Sequence, residues 1–157
     1  MRLTDEQKTE NLFSCVLEIN RLCFPSVRAS DEKMAKMFRT GDTFIIRTGL
    51  GDITGFAVCE QFIYETPRLV IIAVLPNYQR LGIGKKLLDE VIEFYRVEGC
   101  QSLTLTVNSK NSRAIRMYEN AGFKRVSLLK KYFLQDGDGI LMRREYEKYY
   151  LRPLWRI

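Results

Sequence analysis

The spacing of hydrophobic residues divides the first forty positions into two predicted helices. Between residues 5 and 24, apolar side chains recur every three or four positions, as they do on one face of a helix. The residues on that face are Leu12, Val16, Ile19, Leu22 and Cys23. Ser30 is a typical N-cap residue, so we predict a second, short helix that begins there and ends near Gly41.

Alternating and continuous apolar runs predict strands along the rest of the chain. Residues 43–47 and 53–64 are rich in β-forming residues and flank a Leu-Gly-Asp turn, so we predict a hairpin. The continuous apolar run at residues 69–75 is typical of a central strand that is buried on both faces. The remaining predicted elements are a helix over 84–98, a strand over 103–107, a helix over 112–121 and strands over 123–134 and 139–146.

This order of elements indicates the fold class. Strands and helices are interspersed, which is typical of an α/β (α+β) protein with one mixed sheet. A length of 157 residues suits a single domain, and no segment is repetitive or of low complexity. We therefore predict one domain over residues 1–157, with a core over 5–147 and a basic C-terminal extension over 148–157.

Composition and charge narrow the possible functions. The net charge of +6 suits an anionic ligand, an acidic peptide or a nucleic acid, and by itself selects none of them. Four cysteines without a C-x-x-C pair, and no histidine, argue against a metal site and favour free thiols in a reducing, cytoplasmic setting. No apolar run is long enough to span a bilayer, and the polar start MRLTDEQKTEN does not resemble a signal peptide, so we expect no membrane association.

The loop QRLGIG at residues 79–84 is a predicted anion site. It joins a strand to a helix, where unpaired N–H groups and the positive end of the helix dipole meet. Glycine allows close approach of a phosphate, and Arg80, Lys85 and Lys86 add positive charge. The spacing fits neither a Walker A loop nor a dinucleotide fingerprint. On these residues alone, a plain tight turn remains open.

The segments that follow the loop carry a family resemblance. Gln79-x-x-Gly82-x-Gly84, then Asn111-x-x-Ala114-x-x-x-Tyr118, then Gly122-Phe123, resembles the GCN5-related N-acetyltransferase (GNAT) family in order and spacing. The similarity runs from about residue 69 to residue 133. Within the family, the chain resembles the ribosomal-protein-alanine and other protein N-terminal acetyltransferases, through the segments IAVLPNYQRLGIGKKLL, NSRAIRMYENAGF, Lys131-Tyr132-Phe133 and Cys23-Phe24-Pro25-Ser26-Val27.

The resemblance implies a fold, a cosubstrate and a set of site residues. The fold would be a mixed, mostly antiparallel sheet flanked by about four helices, and the cosubstrate acetyl-CoA. The loop would hold the pyrophosphate through Arg80, Leu81, Gly82, Ile83, Gly84 and Lys85. The pantetheine arm would contact the strand backbone at Ile72, Ala73 and Val74 and the side chain of Asn111. Phe24, Pro25 and Tyr132 would line a groove for the acceptor, a protein or peptide N-terminus such as that of a ribosomal protein.

Acetyl transfer from a thioester to an amine needs a neutral amine, a polarised carbonyl and a proton for the departing sulfur. The resemblance makes Tyr118 the proton donor, although a core tyrosine fits the same helical pattern, and a helix cap likewise fits Asn111. Relatives usually carry a glutamate or histidine as base where this chain has Thr106. A threonine hydroxyl is not a base at neutral pH, so a water held by Thr106, or the Glu60 or Glu65 carboxylate, would have to relay the proton.

The missing base favours an acceptor that loses its proton easily. An α-amine with a pKa near ~7.8 fits this requirement better than a lysine side chain near ~10.4. The predicted function is therefore acetylation of a protein or peptide N-terminus by direct transfer in a ternary complex. Two alternatives remain: an acetyltransferase for a small-molecule amine, and a non-catalytic acyl-CoA-binding module. We expect the basic C-terminal residues to be solvated rather than to bind nucleic acid directly.

Overall fold

The computed structural model describes residues 1–25, 30–62, 66–133 and 137–147, apart from the side chains of residues 61 and 62. The helices of this part are α1 (Glu10–Cys23), α2 (Asp31–Thr40), α3 (Ile83–Val97) and α4 (Ser112–Asn120). Its strands are β1 (Asp42–Arg47), β2 (Ile53–Phe62), β3 (Thr66–Val74), β4 (Ser102–Asn108), β5 (Lys124–Phe133) and β6 (Gly137–Glu145). The predicted extension at 148–157 lies outside the described residues.

The six strands of the described ranges form one sheet in the order β1-β2-β3-β4-β6-β5. Only the β3–β4 pair at its centre is parallel among them, and the other neighbours run antiparallel. A parallel pair needs a long crossover, and α3 supplies it between β3 and β4. The prediction of a mixed, mostly antiparallel sheet flanked by about four helices is confirmed.

Helices cover the two faces of the sheet unequally. On one face, α3 and α4 pack over a cluster that includes Leu88, Leu105 and Phe123. On the other face, α1 and α2 pack over a second cluster that includes Phe56 and Val58. Among the described residues, this second cluster contains no side chain of β4, β5 or β6. That half of the face is therefore left without a helical cover in the described part of the chain.

The first helix is shorter than its hydrophobic pattern predicts. Thr9 caps α1 by accepting a hydrogen bond from the Leu12 amide at 3.3 Å, so residues 5–7 form a separate 3₁₀ turn. The placement of Leu22 on the buried face was wrong, because its side chain is 54% exposed. At the helical rotation of about 100° per residue, Leu22 lies a quarter-turn away from the stripe of Leu12, Val16 and Ile19.

The central strand also differs from its prediction. β3 begins at Thr66, three residues before the apolar run, and it ends at Val74. It is not buried on both faces along its length, because Val70, Ile71 and Ile72 are only half-buried. The predicted ends of β2 and β5 at residues 64 and 134 lie outside the described residues. The partial exposure of β3 marks the place where the sheet opens.

Candidate active site

The sheet opens between β3 and β4. These strands pair only at Arg68 with Thr104 and at Leu69 with Leu105, although both continue for several residues. In the ladder with β2, Ile71 and Leu69 face consecutive residues, so Val70 is an extra, bulged residue. A bulge leaves one residue out of the ladder and bends its strand. The backbone of β3 beyond Leu69, which includes the predicted contacts Ile72, Ala73 and Val74, therefore borders a gap rather than β4.

Two side chains close the far end of this gap at the Val74 carbonyl. The Gln79 side chain donates to it at 3.0 Å, and the Cys23 thiol donates to it at 3.2 Å. Burial raises the pKa of Cys23, so the sulfur stays a thiol and a donor. Gln79 thus ties the glycine loop to β3. Cys23 anchors the end of α1, and with it Phe24 and Pro25, at the end of the gap farthest from Arg68.

The glycine loop presents free backbone donors. Gly82 is the N-cap of α3 with φ 78°, and no side chain caps the helix there. The first helical amide with a partner is that of Lys86, which donates to the Gly82 carbonyl at 2.9 Å. The amides of the first turn, Ile83, Gly84 and Lys85, are therefore left for an external acceptor. A Cβ added to Gly82 would meet no protein atom within 4 Å, so the space above the loop is open.

One of the predicted cations near the loop, Lys85, already has a carboxylate partner. Lys85 pairs with Asp89 at 2.5 Å, one helical turn along α3. Arg80 has a left-handed backbone with φ 65°, so the loop contains two residues with positive φ, Arg80 and Gly82. Alternation of this kind turns successive amides toward one point, a geometry that binds anions. Beside the loop, a cavity of about 490 Å³ between α3 and α4 is lined by residues that include Arg113 and Arg116.

Helix α4 carries the two predicted residues Asn111 and Tyr118. The Asn111 side chain caps α4 by accepting from the Ala114 amide at 3.0 Å, which leaves its own NH₂ group as a donor. Tyr118 is 6% exposed and packs edge-on against Phe123, with ring centroids 5.8 Å apart. Burial raises the pKa of Tyr118 above its ordinary value. The phenol is therefore neutral at physiological pH and able to donate a hydrogen bond.

On the opposite face of the sheet, Thr106 and Tyr132 share one partner, Arg68. The buried residues Leu105 and Val107 face α3, so the alternation of a strand turns Thr106 to the other face. There Arg68 Nη2 donates to the Thr106 hydroxyl at 3.2 Å and also to the Tyr132 hydroxyl. The Arg68 guanidinium carbon lies 5.9 Å from the Tyr132 ring centroid. Sequence reasoning missed Arg68, although a lone charge at the start of an apolar strand is a visible signal.

A bulge of three residues in β5 holds Tyr132 in this place. Leu129 faces Gly139 and Phe133 faces Gly137, so three residues of β5 lie opposite Asp138. The Asp138 carboxylate accepts from the Lys131 amide at 2.9 Å and pairs with Lys130 at 2.8 Å. The Lys130 ammonium, followed by the Lys131 amide, holds the pKa of Asp138 below its usual value. The bulge is thus fixed by a carboxylate that stays ionised at neutral pH.

Gly139 makes room for the Tyr132 side chain. A Cβ at this position would lie 2.8 Å from the Thr106 methyl carbon and 3.1 Å from Tyr132 Cβ. Real Cβ atoms essentially never come as close as 2.8 Å to another atom, so Thr106 and Tyr132 can both lie against residue 139 only because it has no side chain. Gly139 is a second residue that the sequence patterns did not single out.

The structure thus distributes the predicted site residues over both faces of the sheet. Tyr118 lies on the face of α3 and α4, while Thr106 and Tyr132 lie on the other face with Arg68. Glu60, one of the two relay carboxylates considered above, lies opposite Arg68 in the β2–β3 ladder, and Glu65 lies outside the described residues. Within the described ranges, no group of three or more metal-ligating side chains is present. None of the helices there has the length and apolarity needed to cross a bilayer.

Comparison with known proteins agrees with this architecture. The profile of a family described as "Acetyltransferase (GNAT) family" matches residues 13–123. The ribosomal protein bS18-alanine N-acetyltransferase of Haemophilus influenzae is 39% identical over 87 residues, 55% of this chain and 58% of that protein. Its counterpart from Escherichia coli (strain K12) is 36% identical over 95 residues, 59% of this chain and 64% of that protein. The matched segments thus span less than two thirds of these curated relatives.

Solved structures share the fold over most of the chain. The crystal structure of the ribosomal-protein-S18-alanine N-acetyltransferase from Escherichia coli superposes with a TM-score of 0.79 and 25% identity, covering 87% of this chain and 89% of that one. A GNAT family acetyltransferase from Elizabethkingia anophelis, with acetyl-CoA bound, gives a TM-score of 0.73 at 22% identity, covering 82% and 89% of the two chains. At that identity the second likeness shows the fold alone.

The glycine loop generates a test with an internal control. Valine at position 82 would strain a backbone with φ 78° and would project into the open space above the loop. We expect Gly82→Val to keep the fold and to lose detectable acetyl-CoA binding. Gly84→Ala is the matched control, because its Cβ would meet Met117 Sδ at 3.7 Å and Val74 Cγ2 at 3.8 Å, both ordinary contacts.

Titration calorimetry measures the acetyl-CoA affinity, and a thermal melt checks that each variant is folded. Gly84→Ala should bind within a few-fold of the parent protein. Parental affinity in a folded Gly82→Val protein would show that the loop does not hold the coenzyme.

Proposed function

This chain belongs to the GNAT family of acetyltransferases, and we propose that it acetylates the α-amino group of a protein or peptide N-terminus. The acetyl group would come from acetyl-CoA by direct transfer within a ternary complex. The observation that carries the proposal is the gap between β3 and β4, with an anion-binding loop at one end and Thr106 and Tyr132 on its far face. The names of the relatives similar in sequence support the acceptor class.

The coenzyme occupies the gap and the loop in this proposal. Its pyrophosphate accepts hydrogen bonds from the first-turn amides of α3, next to Arg80 and Leu81. Its pantetheine arm pairs as an extra strand with the open backbone of Ile72–Val74. The free NH₂ group of Asn111 can donate to the same arm. Its nucleotide end extends toward the cavity between α3 and α4, where Arg113 and Arg116 complement phosphate charge.

The transfer step then needs a hydrogen-bond donor to the oxyanion and another to the departing sulfur. The amine nitrogen attacks the thioester carbonyl carbon, the carbon–sulfur bond breaks, and one proton passes from nitrogen to sulfur. A bulged residue leaves the ladder, so the Val70 backbone amide is a candidate donor to the developing oxyanion. Tyr118 donates a hydrogen bond to the departing sulfur from the opposite face. Because burial raises its pKa, the phenol stays protonated and remains a hydrogen-bond donor to the sulfur.

The acceptor must arrive at Thr106 with little help in losing its proton. At pH 7 an α-amine near pKa ~7.8 is roughly 10–15% neutral, so deprotonation costs about 1 kcal/mol. For a lysine side chain near ~10.4 the cost is about 4–5 kcal/mol. A polyamine acceptor would in addition place its ammonium groups beside the Arg68 guanidinium. These two arguments favour an N-terminal α-amine over the small-molecule alternative.

The acceptor groove follows the uncovered half of the sheet face. Tyr132 stands at one side of it, 41% exposed, and Phe24 and Pro25 at the end of α1 form the other limit. A ribosomal protein is one acceptor of this kind, as the names of the relatives suggest. No disulfide joins the four cysteines, all of which lie in the described part of the chain, and this supports a reducing, cytoplasmic location.

Replacing Tyr118 tests the transfer chemistry and separates an enzyme from a non-catalytic acyl-CoA-binding module. We expect Tyr118→Phe to lower kcat by roughly 10²-fold, the usual scale of general acid–base catalysis. Acetyl-CoA affinity should change little, because the phenyl ring keeps the packing against Phe123. Steady-state kinetics with an N-terminal peptide gives the first quantity and calorimetry the second. An unchanged kcat would assign Tyr118 to the hydrophobic core alone.

Matched acceptor peptides test the α-amine preference. At pH 7 a peptide with a free α-amine should react roughly several hundred-fold faster than the same peptide with a blocked N-terminus and one lysine, since about 3–4 kcal/mol separates their deprotonation costs. Thr106→Glu should raise activity at pH 6–7 more than at pH 9, because it supplies a base. Glu60→Gln is the control. If Glu60→Gln lost all activity, and the parent protein acetylated both peptides equally well, the base would be Glu60.

A further inference from the structure

We propose that Arg68 takes over the task of the missing base by lowering the pKa of the acceptor amine, so that the amine binds in its neutral form. This inference rests on the proposed function and concerns the same site. A base removes the proton from a bound ammonium, whereas a fixed cation disfavours that ammonium from the outset. Both raise the fraction of nucleophilic amine, and only the second suits a site built around Thr106.

The position of Arg68 is fixed from two sides. It lies in the first of the two pairs of the β3–β4 ladder, one residue before the strands separate. Its side chain crosses the mouth of the gap and donates through Nη2 to the hydroxyls of Thr106 and Tyr132. The bulge that carries Tyr132 is itself held by Asp138. The guanidinium therefore lies at the residue where relatives carry the base, beside the place where an acceptor amine must meet the thioester.

Arg68 keeps its full charge for the site. Within the described residues, no carboxylate lies in ion-pair distance of its guanidinium, while nine other cations there do form ion pairs. Its Nε is buried and has no hydrogen-bond partner in the same part of the chain. Desolvation without a counter-ion costs free energy, so a purely structural role is poorly served by an arginine here. The unmet Nε–H is also a donor that a peptide carbonyl can use.

The charged groups around Arg68 do not cancel this effect. On β2, Glu60 faces the same side of the sheet without forming an ion pair with Arg68. On β6, Arg143 is paired with Glu145 at 3.2 Å and turns toward Ser102. On β5, Lys131 precedes Tyr132 in the chain and adds a cation, and on α4 the buried phenol of Tyr118 carries no charge because burial raises its pKa. Two further carboxylates on these elements are relevant: Asp138 on β6 is paired with Lys130 at 2.8 Å, and Glu60, which lies opposite Arg68, is therefore part of the test.

The expected size of the effect is measurable. A like charge close to a titrating group disfavours the charged form, and a shift of about one pKa unit is ordinary at such range. One unit lower makes the neutral fraction of an α-amine at pH 7 several times larger. The shift exists only in the bound complex. The shifted pKa of the bound amine therefore appears in the pH profile of kcat, whereas the pH profile of kcat/KM reports the pKa of the amine in the free peptide.

The experiment compares Arg68→Met with Arg68→Lys, at saturating acetyl-CoA, over pH 5.5 to 9.5. In the parent protein, we expect the rising limb of kcat to have a pKa about one unit below that of the limb of kcat/KM. Arg68→Met removes the charge at similar length, so the kcat limb should move up toward the free amine. Arg68→Lys keeps the charge and loses the shared contacts, so its limb should stay low. Glu60→Gln should move the limb slightly down if Glu60 opposes Arg68.

Several outcomes separate this inference from the function on which it rests. A structural role would lower kcat in Arg68→Met equally at every pH, and an unmoved limb would overturn the inference alone. Proton release by the parent protein gives a readout without any variant. Peptide binding to its complex with CoA at pH 7 should release about half a proton, since a fall in pKa from ~7.8 to ~6.8 lowers the protonated fraction of the amine by that much, and this release is seen as calorimetric heats that depend on the buffer. If no proton were released, the inference about Arg68 would also be overturned. If the protein neither transferred the acetyl group nor bound the peptide, both proposals would be overturned.

Discussion

The separation of β3 from β4 is the constraint on which the rest of this structure depends. Two adjacent parallel strands would normally pair along their length, because unpaired backbone groups in a protein interior are costly. Here pairing stops after Leu69, and the bulge at Val70 turns β3 away. The sheet thereby acquires a passage between its two faces. A ligand that carries amide groups can complete the interrupted ladder, which gives the unpaired strand a use.

The passage divides the work between the two faces of the sheet. On the face of α3 and α4 lie the free amides of the glycine loop, the cavity with Arg113 and Arg116, and the phenol of Tyr118. On the other face lie Thr106 and Tyr132, joined through Arg68. Coenzyme and acceptor can therefore approach from opposite sides and meet in the gap. No group has to move across the sheet for transfer to occur between them.

Local patterns were sufficient to predict the elements and the loop. Ser30 caps α2 and Asn111 caps α4, as their residue types and spacing indicate, and Gly82 has the positive φ that its loop requires. These features depend on residues within a few positions of one another. The exposure of Leu22 was not predicted, because the period alone does not say which edge of a stripe the sheet covers.

Features that depend on distant parts of the chain could not be read from the sequence. The Val70 bulge arises from register between strands, which no local pattern records. The Arg68–Thr106 contact joins residues 38 positions apart, and it exists because β3 and β4 are parallel neighbours. Gly139 reads as an ordinary strand glycine until Tyr132 and Thr106 are seen to occupy its side-chain space. In each case the sheet topology supplies the missing information.

Amide hydrogen exchange with and without acetyl-CoA tests the central claim most directly. If the coenzyme fills the gap, exchange should slow at the open β3 amides over residues 70–74 and at the loop amides over 83–85. The amides of β1, which lies at the sheet edge two strands away from the gap, should not change. Binding of acetyl-CoA with no slowing at residues 70–74 would contradict the account, because the coenzyme would then lie somewhere other than between β3 and β4.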